Sequence, residues 1–76
     1  MMPGELVNDT VTVSEQKEAS QLYNKGNYGY PLSGGGLELD LSEALYLVES
    51  NRLQVFSKGK EITFDHLFIK ASRQMD

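Results

Sequence analysis

The sequence contains no cysteine and a single histidine, His66. The first absence excludes disulfide bridges and thiolate metal sites, and the second leaves too few imidazoles for a histidine-based metal centre. No apolar run is long enough to span a bilayer. The amino terminus also lacks the basic-then-apolar pattern that directs secretion. A soluble, cytoplasmic chain that uses no metal and no cofactor is the expectation. Basic residues are scarce: 7 Lys and Arg stand against 11 Asp and Glu, for a net charge of −4. Nucleic-acid-binding modules draw most of their affinity from neutralising phosphates. Lys58 and Lys60 flank a glycine, and Lys70 and Arg73 share a helix face, but the acids outnumber them. A free-standing RNA-binding module is therefore disfavoured. At 76 residues the chain holds one domain, residues 1–76, with a core of marginal size.

What is present is concentrated between Tyr28 and Ser50. A tyrosine-proline segment leads into three consecutive glycines, a short apolar strand and a capped helix. Asp40 is placed to accept from a free amide of the first helical turn, and Glu43, three residues on, to reach back and close a capping box. From Leu41, helical spacing puts Leu41, Ala44, Leu45 and Val48 on one stripe, with Leu47 at its edge. Ser42, Glu43, Tyr46 and Ser50 look the other way.

The flanking segments read as follows. Residues 4–13 form a β-hairpin turning at Asn8-Asp9, with Val11 and Val13 on one face. Ser14 caps a helix that runs to about Lys25, with Gly26 just past its end and a thin apolar stripe of Ala19, Leu22 and Tyr23. Leu37–Leu39 is the next strand. Asn51-Arg52 joins the central helix to a strand over Leu53–Phe56, and Ser57–Lys60 is a polar turn around Gly59. Thr63 caps a last helix with Phe64, Leu67, Phe68, Ala71 and Met75 along its buried stripe. No glycine or proline stops that pattern, and a fragment of a longer polypeptide is expected. The order is ββαβαβα, an α+β domain with a small four-stranded antiparallel or mixed sheet packed with three helices.

Few of these residues offer chemistry. Gly34–Gly36 invite comparison with a phosphate-binding loop, but no Lys-Ser/Thr pair follows them, and they lead into a strand rather than a helix. A tight turn between strands explains them. The Asp40–Glu43 carboxylate pair is accounted for by the capping box. His66 falls on the solvent face of the last helix, near Lys70 and Arg73. Tyr28 and Tyr30, on an arm between glycines, are suited either to contact with a partner or neighbouring domain or to folding back over the first helix. Tyr46, on the polar side of the central helix, serves no core of its own and is a third candidate for such contact. No catalytic residue is assigned.

Tyr28-Gly29-Tyr30-Pro31, Gly34–Gly36, Leu37–Leu39, Glu43–Leu47, Leu53–Val55 and Thr63–Leu67 follow one another in an order that resembles the amino-terminal domain of the archaeal tRNA-intron (tRNA-splicing) endonucleases. The resemblance covers most of the chain and implies the same α+β architecture. It implies a parent enzyme, a tRNA-intron lyase, that cuts precursor tRNA within a bulge-helix-bulge fold and leaves 2′,3′-cyclic phosphate and 5′-hydroxyl ends. The tyrosine, histidine and lysine used by that family belong to its carboxy-terminal domain, and no position here matches their motif. This chain is therefore expected to be an inactive scaffold and assembly domain. Its expected partners are a carboxy-terminal catalytic domain and sister subunits, with precursor tRNA reached only through the full enzyme. The alternative is a free-standing protein–protein interaction module without nuclease activity.

Overall fold

Alternation of apolar and polar residues along the strands decides how the sheet faces. The structure, a computed structural model, describes residues 1–74. Along them the chain forms β1 (Met2–Val7), β2 (Thr10–Val13), α1 (Gln16–Gly26), β3 (Tyr30–Pro31), β4 (Leu37–Asp40), α2 (Leu41–Glu49), β5 (Leu53–Ser57), β6 (Lys60–Ile62) and α3 (Phe64–Gln74). The strands join in one sheet of order β3-β4-β2-β1-β5-β6. β1 and β5 pair in parallel and all other neighbours are antiparallel. Val11 opposes Leu39 and Val13 opposes Leu37, while Gly4 opposes Val55 and Met2 opposes Leu53. These apolar positions share one face, where Val11, Val13, Leu37, Leu39, Leu53 and Val55 are buried.

The helices cover that face. Ala19 and Leu22 of α1, Leu41, Ala44 and Leu47 of α2, and Leu67 and Ala71 of α3 join the sheet residues in a single core. The registers make β4 and β5 parallel, so α2 carries the chain back across the intervening β2 and β1 before β5 begins. It touches β2, β4 and β5 below and α3 beside it. This is the α+β architecture expected, a mixed sheet under three helices.

The sheet has six strands rather than four. β3 is only two residues long and holds Pro31, a residue confined to sheet edges because it lacks an amide donor. β6 hides its signal differently, since Lys60 and Glu61 are exposed and give no apolar alternation. The turn expected over Ser57–Lys60 contracts to Lys58-Gly59, with φ of 52° and 83°. Positive φ at both central residues gives the mirror-image turn whose twist matches paired strands, and so a hairpin continues into β6.

Other boundaries shift for local reasons. α1 is capped by Glu15, not Ser14: its carboxylate accepts from the Lys17 and Glu18 amides at 3.3 and 3.1 Å. At the other end Gly26 is still helical and Asn27 takes the left-handed conformation, φ 57°. Tyr23 leaves the α1 stripe and is 45% exposed. On α3, Thr63 caps as expected, its hydroxyl accepting from the His66 amide at 3.3 Å. Phe68 does not join the core there, being 53% exposed, and it pairs with the half-buried Phe64 at a ring separation of 6.1 Å. Met75 lies outside the described residues. Among those residues, no helix is long and apolar enough to cross a membrane.

Candidate functional site

The strand-to-helix junction at Asp40 organises the region that holds two of the three candidate tyrosines. Glu43 donates its amide to Asp40 Oδ1 at 2.8 Å, and its own Oε1 accepts from the Asp40 amide at 3.1 Å. The capping box read from the sequence is thus present. The second oxygen of Glu43 has another role. Oε2 accepts from the Gly29 amide at 2.8 Å, a tie across 14 residues of chain. Gly29 has φ +70°, and a Cβ there would lie 2.6 Å from the Glu38 carbonyl oxygen.

Tyr28 is fixed by the same contacts. Its amide donates to the Leu22 carbonyl at 3.2 Å, and its ring lies where a side chain on Gly26 would have to go. The ring is half-buried against the core and stacks on Tyr46, with centroids 6.3 Å apart and planes at 22°. Tyr28 thus folds back over the end of α1, one of the two placements read from the sequence, and pins the segment there. Tyr46 remains 59% exposed on the outer side of α2. Tyr30 goes elsewhere: it enters β3 opposite Glu38 and is 69% exposed on the sheet face away from the helices. The structure brings Tyr28 and Tyr46 together as one aromatic surface and leaves Tyr30 apart from it.

The remaining sequence candidates serve the fold. The glycine turn is closed by the Leu32 amide donating to the Gly36 carbonyl at 2.8 Å, and by Gln16 Nε2 donating to the Gly34 carbonyl at 3.0 Å. Between that turn and α1 lies a shallow hollow of about 140 Å³ lined by Ala19, Tyr23, Pro31, Leu32 and Leu37. It contains no acid–base pair. His66 is exposed on α3, and Lys70 is paired with Asp9 at 3.7 Å. Among the described residues no three His, Asp or Glu side chains gather in a way that could hold a metal ion. The arrangement can present an aromatic surface to a neighbour.

Sequence reasoning missed the Glu43–Gly29 tie. Its only signal was a glycine in the segment facing a helix N-terminus, and spacing alone does not connect the two. A direct measure of the junction is the stability of its variants. Asp40→Ala is expected to cost about 1 kcal/mol as a lost cap. Glu43→Ala, which removes two acceptors at once, should cost about 2 kcal/mol. A urea midpoint for Glu43→Ala equal to or above that of Asp40→Ala would show the long-range tie to be unimportant.

Comparison with known proteins places this fold. The family described as tRNA intron endonuclease, N-terminal domain, matches residues 2–68. The chain is 45% identical over 71 residues to a tRNA-splicing endonuclease of Methanococcoides burtonii, covering 93% of this chain and 20% of that protein. It is 39% identical over 69 residues to the tRNA-splicing endonuclease of Pyrococcus abyssi, covering 91% of this chain and 40% of that protein. The enzyme of the same name from Sulfurisphaera tokodaii is 31% identical over 77 residues, covering 88% and 43%. The chain thus spans less than half the length of each of these relatives.

Proposed function

From the premise that this chain belongs to the family of N-terminal domains of tRNA intron endonucleases, we propose that it is the non-catalytic scaffold and assembly domain of a tRNA-splicing endonuclease. The whole enzyme would remove introns from precursor tRNA at a bulge-helix-bulge, leaving 2′,3′-cyclic phosphate and 5′-hydroxyl ends. Residues 1–76 would act as a single domain, with a carboxy-terminal catalytic domain and sister subunits as partners and RNA reached through the assembled enzyme. The observation that carries this reading is where the side chains are used. The acids at the strand-to-helix junction are engaged in capping, Lys70 is in an ion pair with Asp9, and His66 is exposed on an outer helix face.

General acid–base cleavage of RNA needs an acid and a base within reach of the same phosphate. The capping contacts and the Lys70–Asp9 pair engage groups that would otherwise be free for that work, which supports a scaffold role. The stacked Tyr28–Tyr46 surface is a natural contact for an adjoining domain, since a pre-positioned aromatic surface loses little side-chain freedom on docking. Tyr30 offers a second contact on the other side of the molecule. The test is incubation of the purified chain with a precursor tRNA containing a bulge-helix-bulge. Intact RNA is the expected result. Appearance of exon and intron fragments ending in cyclic phosphate would overturn the proposal.

A further inference from the structure

All three helices pack on one face of the sheet, and among the described residues nothing covers the other. Following the cross-strand registers, one row of that bare face runs over every strand: Tyr30, Glu38, Thr12, Glu5, Phe56 and Glu61. Three carboxylates alternate with two aromatic rings and a threonine. The same face carries Pro3, Val7, Thr10 and Gln54 beside the row, with no lysine or arginine. Strand spacing sets successive carboxylates two strands apart, about 10 Å. Direct opposition of like charge, which destabilises a sheet, is avoided. The charges are still close enough to act on one visitor, since the screening length at moderate salt is also about 10 Å. Pro3 and Phe56, together with Glu5 and Glu15, line a shallow hollow of about 320 Å³ on this side. Its lining thus sets apolar Pro3 and Phe56 beside the carboxylates of Glu5 and Glu15.

We propose that this bare face docks a basic polypeptide segment, with arginine or lysine stems lying along Phe56 and Pro3 and their charged heads meeting Glu5, Glu38 and Glu61. Charge decides the occupant. A nucleic-acid backbone would bring phosphates onto carboxylates, and a second copy of the same face would bring the carboxylates onto themselves, which complementarity forbids. Arginine and lysine combine an apolar stem with a cationic head, and arginine also stacks on aromatic rings. That is the complement of a hollow lined by both apolar and acidic side chains. The inference names the chemistry of a partner for the assembly domain and rests on that assignment, but it uses a different surface from the Tyr28–Tyr46 pair.

The test is an amide-resonance titration of the isotopically labelled chain with a short arginine–serine peptide, run beside its glutamate–serine counterpart and single-stranded oligouridylate. The arginine peptide alone is expected to shift Glu5, Thr12, Glu38, Phe56 and Glu61. Glu5→Lys at an exposed strand position, or Glu38→Lys at a half-buried one, should weaken binding about fivefold, while Glu49→Lys on α2 should leave it unchanged. Equal weakening by Glu49→Lys would mean that net acidity attracts the peptide, and would overturn the proposal. So would oligouridylate shifting the same residues, broadening of them with protein concentration alone, or no shift with the arginine peptide. None of these readouts involves RNA cleavage, so either proposal can fail while the other stands.

Discussion

Leu47→Ala is expected to destabilise the domain by about 2–5 kcal/mol, the range for removing a large aliphatic side chain from a packed core. Leu47 is fully buried on α2, between the sheet and α3. A domain of this size has only about 5–15 kcal/mol of stability to lose, so the variant should unfold at much lower urea or temperature. Leu45→Ala, at a half-buried position on the opposite edge of the stripe, should cost clearly less. Equal costs at the two positions would contradict the observed orientation of α2.

That pair of variants also marks where the sequence stops being legible. Spacing predicts a stripe centred between Leu41 and Val48, with Leu47 at its margin. The buried set is Leu41, Ala44 and Leu47, with Leu45 and Val48 only packed against it. At 100° per residue, the sealed side is turned by about 50°. Periodicity establishes that α2 is amphipathic and which residues compete for the inside. It does not encode the second neighbour, α3, against which the helix also packs. The same limit applies to Phe68: its helical spacing fits the core stripe, yet it is left 53% exposed beside Phe64.

Local signals fared better where the interacting atoms are close in sequence. The Asp40–Glu43 box, the Thr63 cap, the apolar alternation of β2 and the glycine turn all depend on residues within a few positions of one another. β3 and β6 were missed because a two-residue edge strand and a polar strand carry too little pattern to stand out. For the candidate surface, the sequence nominated Tyr28, Tyr30 and Tyr46 but not their relation. Which two share a surface depends on the packing of α1 against α2, and on a hydrogen bond spanning 14 residues. The bare acidic face was equally invisible, because its row draws one residue from each of six strands.

Gly29→Ala is the second large effect expected, about 2–3 kcal/mol, and it isolates that long-range tie. Left-handed backbone costs a residue with a Cβ about 1–2 kcal/mol, and Gly29 has φ +70°. The added methyl would also sit 2.6 Å from the Glu38 carbonyl oxygen. Glu38 cannot easily move away, being held in β4 between Thr12 and Tyr30. Either the methyl is accommodated by dragging Gly29 off Glu43 Oε2, or β4 shifts in the sheet. Gly34→Ala supplies the comparison: its φ is +97°, but nothing lies within 4 Å of the added carbon. Only backbone strain remains there, about 1–2 kcal/mol. Thermal unfolding should therefore rank Gly29→Ala well below Gly34→Ala in stability. Hydrogen exchange adds the structural consequence, because the residue 29 amide loses its protection when the tie to Glu43 breaks. Equal unfolding temperatures for the two variants would mean that β4 tolerates the methyl. In that case the Tyr28–Tyr46 surface is held by ring packing against Gly26 and the core, and Glu43 serves its helix alone.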